Sequence, residues 1–197
     1  MHEIFLSNHL TAIETATWQL LQEASISYKS PFHYAAVANI QDGWPEQRTV
    51  ILRKTEPAQK KLYFHTDIRS PKAAWLKKDP AISWLFYNEP LKLQFRMSAV
   101  ATVHYNNEMT EEAWLQSKTN SRLTYSIADA PGKPLQEPIP IGINDENSLD
   151  EIIPFAKNNF AVIETRILKI DFLFLHHTTN RRGIFDYQTN KAYWIQS

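Results

Sequence analysis

The sequence predicts a mainly β protein with flanking helices, in which successive antiparallel strands form a small barrel. Short runs rich in β-branched and aromatic residues follow one another along the chain. Turn-forming stretches such as Gln41–Pro45 and Asn88-Glu89-Pro90 separate them. A meander of this length, with a helix inserted between strands, favours closure into a barrel, because closure leaves no exposed strand edges.

Length and composition set the scale of the fold. At 197 residues, with 43% hydrophobic and 12% aromatic content, the chain can bury a sizeable core. We therefore expect a single domain, 1–197, with an N-terminal helix at about 8–24 and a Pro-rich loop at about 128–150. Lys plus Arg equals Asp plus Glu at 21 each. No net charge therefore draws nucleic acid or an anionic membrane to the protein.

Several classes of site and location are disfavoured by what the sequence lacks. The absence of cysteine excludes disulfides, thiolate metal sites and attachment of a cofactor to a thiol. His176 and His177 do not indicate a metal site, because neighbours on a strand point to opposite faces. The N-terminus has no basic region followed by an apolar one, and no apolar run is long enough to span a bilayer. We expect a cytoplasmic protein with no metal, nucleic-acid or membrane partner.

The elements of the first half follow from local patterns. Residues 8–24 place apolar side chains at helical spacing, with Asn8 as a candidate cap. Residues 48–53 are β-branched and apolar with a cation at each end, which predicts a buried strand. Lys54–Pro57 is typical of a turn. The strands predicted before the second helix are 33–40, 48–53 and 61–66.

Ser70 and Pro71 predict the start of the second helix, which runs to about Lys78. Ser70 can act as N-cap, and Pro71 at the first helical position needs no hydrogen-bond partner. Asn107 is the candidate cap of a later helix. The remaining predicted elements are strands 80–87 and 91–105, helices 108–118 and 119–127, a short helix 149–157, and strands 160–167, 170–176, 182–188 and 191–196.

The start of the second helix is a candidate anion site. Backbone amides at a helix N-terminus favour an anion, and Arg48, Arg69, Ser70 and Lys72 can join them. The four glycines of the chain are far apart, which excludes a P-loop or a dinucleotide fingerprint. A phosphate would therefore be held by side-chain cations and a hydroxyl. The alternative is that these cations form an ordinary solvated face, and spacing alone favours that alternative.

An ordered set of motifs bears on the choice between an anion site and a solvated face. The patterns R-x-V-x-L-[KR], F-x-T-[DN]-x-x-S-x-K, D-P-x-x-x-x-x-F and L-x-L-Q-x-R occur in this order over Arg48–Arg96. Together they resemble the pyridoxamine 5'-phosphate oxidase family of FMN proteins, and the resemblance covers roughly residues 33–185. It implies an FMN-binding split β-barrel, a homodimer with FMN at the subunit interface, and an oxidoreductase. Because the chain has no cysteine, the FMN would be noncovalent.

The resemblance implies a set of cofactor-binding residues. Arg48 and Lys72 match the phosphate-binding cations of the family, with Ser70 in the same turn, and Gln94 matches the glutamine facing the flavin ring. Pro71 replaces a frequent arginine, for which Arg69 can compensate. The full set is Arg48, Thr49, Val50, Ile51, Leu52, Arg53, His65, Thr66, Arg69, Ser70, Lys72, Gln94, Thr119, Asn120 and Arg182.

The assignments of Thr119, Asn120 and Arg182 depend on how the later segments of the chain are aligned with the motifs of the family. Thr119 and Asn120 take the places of a Gln-Ser pair that reaches the flavin of the partner subunit, in a segment with one residue inserted. Arg182 matches a flavin-binding arginine, or Arg181 does if the register shifts by one. Phe172 lies where the family has a tryptophan on the flavin, and an aromatic replacement can still stack there.

The catalytic residues and the substrate remain unassigned from the sequence. The family's site for pyridoxal phosphate uses a lysine where this chain has Arg53 and an R-x-H where it has Thr178-Thr179-Asn180. A tyrosine, an arginine and a serine before the Ala113-Trp114 segment are also missing. Losing several charged contacts would weaken transition-state binding, which disfavours pyridoxine or pyridoxamine phosphate as substrate. The alternatives are a genuine pyridoxamine phosphate oxidase and a flavin carrier without turnover.

Overall fold

Strands dominate the computed structural model of the chain, which describes residues 2–137 and 149–197. A short 3-10 turn at His2–Leu6 precedes the first helix, and another at Pro57–Gln59 precedes the fourth strand. The elements are α1 Leu10–Ile26, β1 Tyr34–Gln41, β2 Trp44–Ile51, β3 Lys54–Glu56, β4 Lys61–Asp67, α2 Pro71–Lys78, β5 Ala81–Asn88, β6 Leu93–His104, α3 Glu108–Gln116, α4 Thr119–Leu123, α5 Leu149–Lys157, β7 Phe160–Leu175, β8 Asn180–Asp186 and β9 Lys191–Trp194.

The antiparallel sheet closes on itself because one segment supplies both of its ends. The strand order is β2-β1-β5-β6-β7-β4-β3, and only Leu52 and Arg53 separate β2 from β3. The Leu52 N–H donates to the His33 carbonyl over 2.9 Å, and the Arg53 N–H donates to the Tyr63 carbonyl over 2.9 Å. The chain therefore passes directly from pairing with β1 to pairing with β4, which completes the barrel.

β7 is the strand on which most of the sheet is assembled. Its first half pairs with β4, its second half pairs with β8, and β6 runs along both halves. The prediction of two strands, 160–167 and 170–176, is wrong, because the chain continues through a bulge. Ser98 pairs with Lys169 and Ala99 with Ile167, which leaves Leu168 as the extra residue.

The barrel interior and α1 form one apolar core. Val50, Leu52 and Phe64 point inward, and the aromatic rings of Trp84 and Phe86 stack at 5.5 Å. α1 packs against β3 and β9 and adds its own apolar side chains to this core. Those side chains are Ile13, Ala16, Trp18, Leu20, Leu21 and Ala24. A smaller cluster outside the barrel joins β4 and β7 to α3 and α5 through Tyr63, Trp114, Ala156, Phe160 and Val162.

Several local expectations are corrected by the structure. The predicted buried strand 48–53 has only Val50 and Leu52 buried, because its other side chains face outward. Lys54–Glu56 pairs with β4 as a strand and is not part of a turn. α1 begins at Leu10 with His9 in the cap position, so Asn8 is not the cap. Ser70 occupies the N-cap position of α2, but its hydroxyl makes no capping bond.

Further corrections concern the second half of the chain. Asn107 caps α3 as predicted, in a capping box with Thr110. The predicted helices 108–118 and 119–127 end earlier, at Gln116 and Leu123. His176 and His177 follow β7, and their ring centroids lie 4.0 Å apart, so the expectation of opposite strand faces is wrong. The predicted loop at about 128–150 lies partly outside the described residues. Within the part that is described, no helix is both long and apolar enough to cross a membrane.

Candidate functional site

A cavity lies on the outer wall of the barrel, where β2, β4 and the start of α2 meet. Its volume is about 760 Å³, and we call it the first cavity. β2 and β4 contribute side chains that point away from the barrel interior, because alternate residues on each strand face outward. The far side is formed by residues from Asn120 to Tyr125 and by the Pro131-Gly132 turn.

Of the described residues that line the first cavity, three are cations, among them Arg48 and Lys72, and the one carboxylate, Asp67, binds Arg69. Arg48 Nη1 donates to the Asn39 side-chain oxygen and, over 2.9 Å, to the Glu46 carbonyl. Lys72 Nζ donates to Thr66 Oγ1 over 2.7 Å. Among the described residues, neither cation forms an ion pair. Burial lowers the pKa of Lys72, and the positive charge of Arg48 lowers it further. Burial also lowers the pKa of Arg48.

Buried hydroxyl groups adjoin these cations. Ser70 and Thr66 are both almost completely buried, and their hydroxyl oxygens lie 3.3 Å apart. The Ser70 hydroxyl donates to the Asp67 carbonyl over 2.7 Å, which fixes its side chain at the entrance to α2. The helix dipole of α2 also favours negative charge at this point. Cations, hydroxyls and a helix start therefore converge on one space, an arrangement suited to an anion.

Most of the residues predicted for the site line the first cavity. They are Arg48, Thr49, Val50, Ile51, Arg53, His65, Thr66, Ser70, Lys72 and Asn120. Leu52 does not, because its side chain is completely buried in the barrel core. Val50 also points into that core, so it reaches the cavity through its backbone.

Arg69 is not among the lining residues, although the sequence placed it with the phosphate-binding cations. Its guanidinium binds Asp67, with Nε 3.1 Å from Oδ1 and Nη2 2.7 Å from Oδ2. The remaining donors bind the carbonyls of Ile127 and Ala128, each at 2.9 Å. Four of the five guanidinium N–H groups of Arg69 thus bind groups of the protein itself.

Gln94 and Arg182 lie on another part of the barrel wall. Gln94 pairs with Leu173, which in turn pairs with Arg182, so the three share one outward face. Arg182 binds Asp171 over 2.8 Å, and Arg96 binds the same carboxylate. Neither predicted residue lines the first cavity of its own chain.

Three further predicted residues behave differently from expectation. Asn120 lines the first cavity of its own chain, so no partner is needed to bring it there. Thr119, at the start of α4, does not line it. The expectation that Phe172 stacks on the flavin is wrong, because its ring is completely buried against Phe185 in the core.

A second cavity of about 470 Å³ adjoins the first. The two cavities share Ile51, Arg53, His65 and Ser121. Apolar groups from the end of α1, from α3 and from β7 form much of the second cavity, whereas Arg53 brings a cation to the shared wall. Within the described parts of the chain, Arg53 has no carboxylate within ion-pair distance.

His65 stands in the wall between the two cavities as a neutral imidazole. Its ring packs edge to face on Phe160 with centroids 4.8 Å apart. Burial lowers the pKa of His65 to about 3, and the charge of Arg53 lowers it as well. At neutral pH this side chain can therefore donate and accept hydrogen bonds but carries no charge.

Several residues of the site were missed by sequence reasoning. Asn39 is buried and orients Arg48, and an asparagine inside an otherwise apolar strand was the available signal. Tyr125 and Gly132 also line the first cavity. They lie far along the chain from β2, so no local pattern could assign them.

Comparisons with known proteins agree with this fold. Residues 15–105 match the family model described as pyridoxamine 5'-phosphate oxidase, FMN-binding domain. Pyridoxine/pyridoxamine 5'-phosphate oxidase 2 of Arabidopsis thaliana is 30% identical over 187 residues, covering 86% of this chain and 88% of that protein.

Solved structures of low sequence identity share the fold. A pyridoxamine 5'-phosphate oxidase-related, FMN binding protein from Nostoc punctiforme has a TM-score of 0.68 at 21% identity, covering 95% of this chain and 96% of that one. PhzG from Burkholderia lata, in complex with tetrahydrophenazine-1-carboxylic acid, also has a TM-score of 0.68, at 14% identity, covering 94% and 92%. From the sequence relationship and the shared split barrel, we conclude that this chain belongs to the pyridoxamine 5'-phosphate oxidase family.

Proposed function

We propose that the protein binds FMN noncovalently, with the FMN phosphate in the first cavity, and acts as an oxidoreductase. The observation that carries this proposal is the pair Arg48 and Lys72, two partly buried cations that face one cavity and have no carboxylate partner among the described residues. Holding two like charges together is unfavourable unless an anion joins them. A phosphate monoester carries a charge of about −1.5 to −2 at neutral pH, which balances the two cations.

The residues present fit a flavin mononucleotide. Arg48 and Lys72 would hold the phosphate through charge-assisted hydrogen bonds, at the start of α2 where Ser70 is the N-cap. Thr49, Ile51 and the backbone of β2 provide a wall along which the rest of the molecule would lie. The volume of about 760 Å³ is within the range of about 300 to 1,000 Å³ that is usual for cofactor sites.

The isoalloxazine ring would supply hydride or electron transfer, and the protein would position both reactants. The second cavity is the position that we propose for the substrate, because it shares a wall with the first cavity. Arg53 in that wall would orient an anionic group, and the neutral His65 would offer a hydrogen bond. The apolar groups of α3 and β7 would exclude water from the reacting atoms.

The genuine pyridoxine or pyridoxamine phosphate oxidase activity is a second candidate, supported by 30% identity to the Arabidopsis protein. The second cavity is compatible with it, because Lys54 and Lys118 line this cavity besides Arg53 and could bind a substrate phosphate. The segment Thr178-Thr179-Asn180, which replaces the R-x-H of the family's substrate site, counts against it. A flavin carrier without turnover is the third candidate.

We further propose a homodimer with FMN at the subunit interface. Gln94 and Arg182 lie outside the first cavity of their own chain, so a flavin contact from either would come from a second copy. Their face of the barrel also exposes large apolar side chains, including Leu85 and Tyr87, which are 39% and 45% exposed. Apolar groups of this kind are more typical of an interface than of a charged, solvated surface.

The cofactor proposal is tested by the affinity for FMN. We expect the purified protein to be yellow and to release FMN on denaturation. Arg48→Met and Lys72→Met should each weaken FMN binding about 10- to 100-fold, because each removes a charged hydrogen bond of about 1.5 to 3 kcal/mol. Lys77→Met, in the exposed last turn of the same helix, is the matched control and should bind FMN normally.

Other outcomes would discriminate between the candidates. A colourless protein that does not bind added FMN would contradict the cofactor proposal. Steady oxygen consumption with pyridoxine phosphate would establish the oxidase activity. Failure of reductants and of small carbonyl, amine and quinone compounds to reduce or reoxidise the bound flavin would favour the carrier. A monomer in light scattering at micromolar concentration, with FMN bound, would contradict the dimer.

A further inference from the structure

A segment without helix or strand structure adjoins the first cavity. After α4 the chain runs from Tyr125 to Ala128, and we call these four residues the strap. Tyr125 lines the first cavity, and the chain returns to it at the Pro131-Gly132 turn. The Tyr125 ring packs against Phe160 at 5.2 Å, and the Tyr125 and Ser126 N–H groups donate to the carbonyls of Arg122 and Leu123. The end of the strap, at Ile127 and Ala128, depends on donors from elsewhere in the fold.

Arg69 supplies two of those donors. Nη2 donates to the Ile127 carbonyl and Nη1 to the Ala128 carbonyl, each over 2.9 Å. The guanidinium is itself held by Asp67, a buried carboxylate that also accepts from the Arg69 backbone N–H over 2.8 Å. The Arg69 guanidinium, held in a fixed orientation, therefore binds the end of the strap to the connection between β4 and α2.

Asn159 holds the other end of the strap. Its Nδ2 donates to the Tyr125 carbonyl over 2.9 Å, and its own carbonyl accepts from the Ile68 N–H over 2.8 Å. Asn159 is buried, so this amide is not free to turn into solvent. Both ends of the strap are thus tied to the same β4–α2 connection, which also carries Thr66 and Ser70 of the first cavity.

The chain beyond the strap closes over the start of α2. Gly132 has φ +88° and follows Pro131, which is the pattern of a type II turn. A Cβ atom at Gly132 would lie 3.5 Å from Pro71 Cγ, so the turn passes directly against the first residue of α2. An occupant of the first cavity would lie between this turn, Tyr125 at the start of the strap and the barrel wall.

We propose that Arg69 is a positioning residue that latches the strap over the first cavity and thereby sets how long a bound molecule stays. This inference rests on the proposed FMN site. Arg69 acts through the carbonyls of Ile127 and Ala128 and makes no contact with the phosphate. Its loss therefore accelerates dissociation of the whole flavin, whereas the loss of Arg48 or Lys72 removes only the recognition of the phosphate.

The comparison of FMN with riboflavin separates these two roles, because riboflavin lacks the phosphate. Arg69→Lys keeps the positive charge but loses the planar fork that binds Asp67 and two carbonyls at once. The latch predicts that Arg69→Lys raises the dissociation rate of FMN and of riboflavin by the same factor, about 10-fold or more. Arg48→Met should instead weaken FMN and leave riboflavin unchanged. Arg166→Lys, on the exposed face of β7, is the matched control.

A second variant tests whether a folding defect, and not the loss of the latch, explains the result. Asp67→Asn combined with Arg69→Met removes the latch without leaving a buried carboxylate unpaired, and it should show the same equal effect on both flavins. The strap is also examined without flavin, by amide hydrogen exchange. We expect faster exchange at residues 125–133 in both variants, with unchanged exchange in β5 and β6.

Each outcome bears on a different claim. A weakened FMN complex with normal riboflavin binding in Arg69→Lys would show a direct phosphate contact and overturn the latch. Unchanged dissociation rates and unchanged hydrogen exchange would overturn it as well. If the wild-type protein binds neither flavin, the proposed function fails, but hydrogen exchange in the strap still decides whether Arg69 holds it.

Discussion

The buried His65 should make the free energy of unfolding depend on pH. Replacing His65 should abolish this contribution. Its pKa falls from 6.5 to about 3 on folding, because burial and the charge of Arg53 disfavour the imidazolium. Between these values the unfolded chain binds a proton that the folded protein does not, so the free energy of unfolding decreases as the pH falls. From pH 6.5 to 4.5 the loss amounts to roughly 2 kcal/mol for this residue, at about 1.36 kcal/mol per pKa unit.

The assay is urea denaturation at both pH values for the wild type, His65→Gln and the control His177→Gln. Carboxyl groups with a lowered pKa, such as those of Glu56 and Asp171, also reduce stability at low pH, so the wild type alone is not decisive. His65→Gln should lose about 2 kcal/mol less than the wild type between pH 6.5 and 4.5. His177 is exposed and should leave the pH dependence unchanged. Equal pH dependence in wild type and His65→Gln would refute the reasoning.

Two predictions concern packing in the core. Gly183→Ala should lower the free energy of unfolding by about 1 to 3 kcal/mol, because the new Cβ would lie 2.6 Å from Phe172 and 3.1 Å from Leu10. An unchanged melting temperature would contradict this prediction. Thr165→Val should cost about 1 to 3 kcal/mol in chemical denaturation, because it leaves the buried Trp84 indole N–H, now 3.1 Å from Thr165 Oγ1, without an acceptor. A change below about 0.5 kcal/mol would show that the indole finds another partner.

That Arg48, Ser70 and Lys72 would share one cavity could be predicted from the sequence, because two of them lie close together along the chain. Ser70 and Lys72 belong to one turn, and Arg48 lies on a strand whose neighbours were recognisable from their β-branched pattern. Such a pattern indicates that a strand exists but not which side chain finds a partner across space. Arg69 illustrates the limit, since Asp67 and the carbonyls of residues 127 and 128 were not predictable as its partners.

The strand pattern was similarly informative and similarly limited. Alternating apolar residues predicted most strands to within a few residues, whereas the bulge at Leu168 was read as a break between two strands. A local pattern cannot distinguish a bulge from a turn, because the difference lies in the pairing with β6. The same limit hid where the predicted barrel closes, which depends on Leu52 and Arg53 passing from one neighbouring strand to another.

The sequence by itself determined the family, the split-barrel class and the cluster of cations at the start of α2, because ordered motifs and local periodicity carry that information. The tertiary structure alone decided which of the predicted residues share a cavity, and it separated Gln94 and Arg182 from Arg48 and Lys72. It also brought Tyr125 to the first cavity and bound the segment from Tyr125 to Ala128 to Arg69 and Asn159. Hydrogen-bond partners and burial depend on contacts between residues far apart in the chain, and those contacts exist only once the barrel has closed.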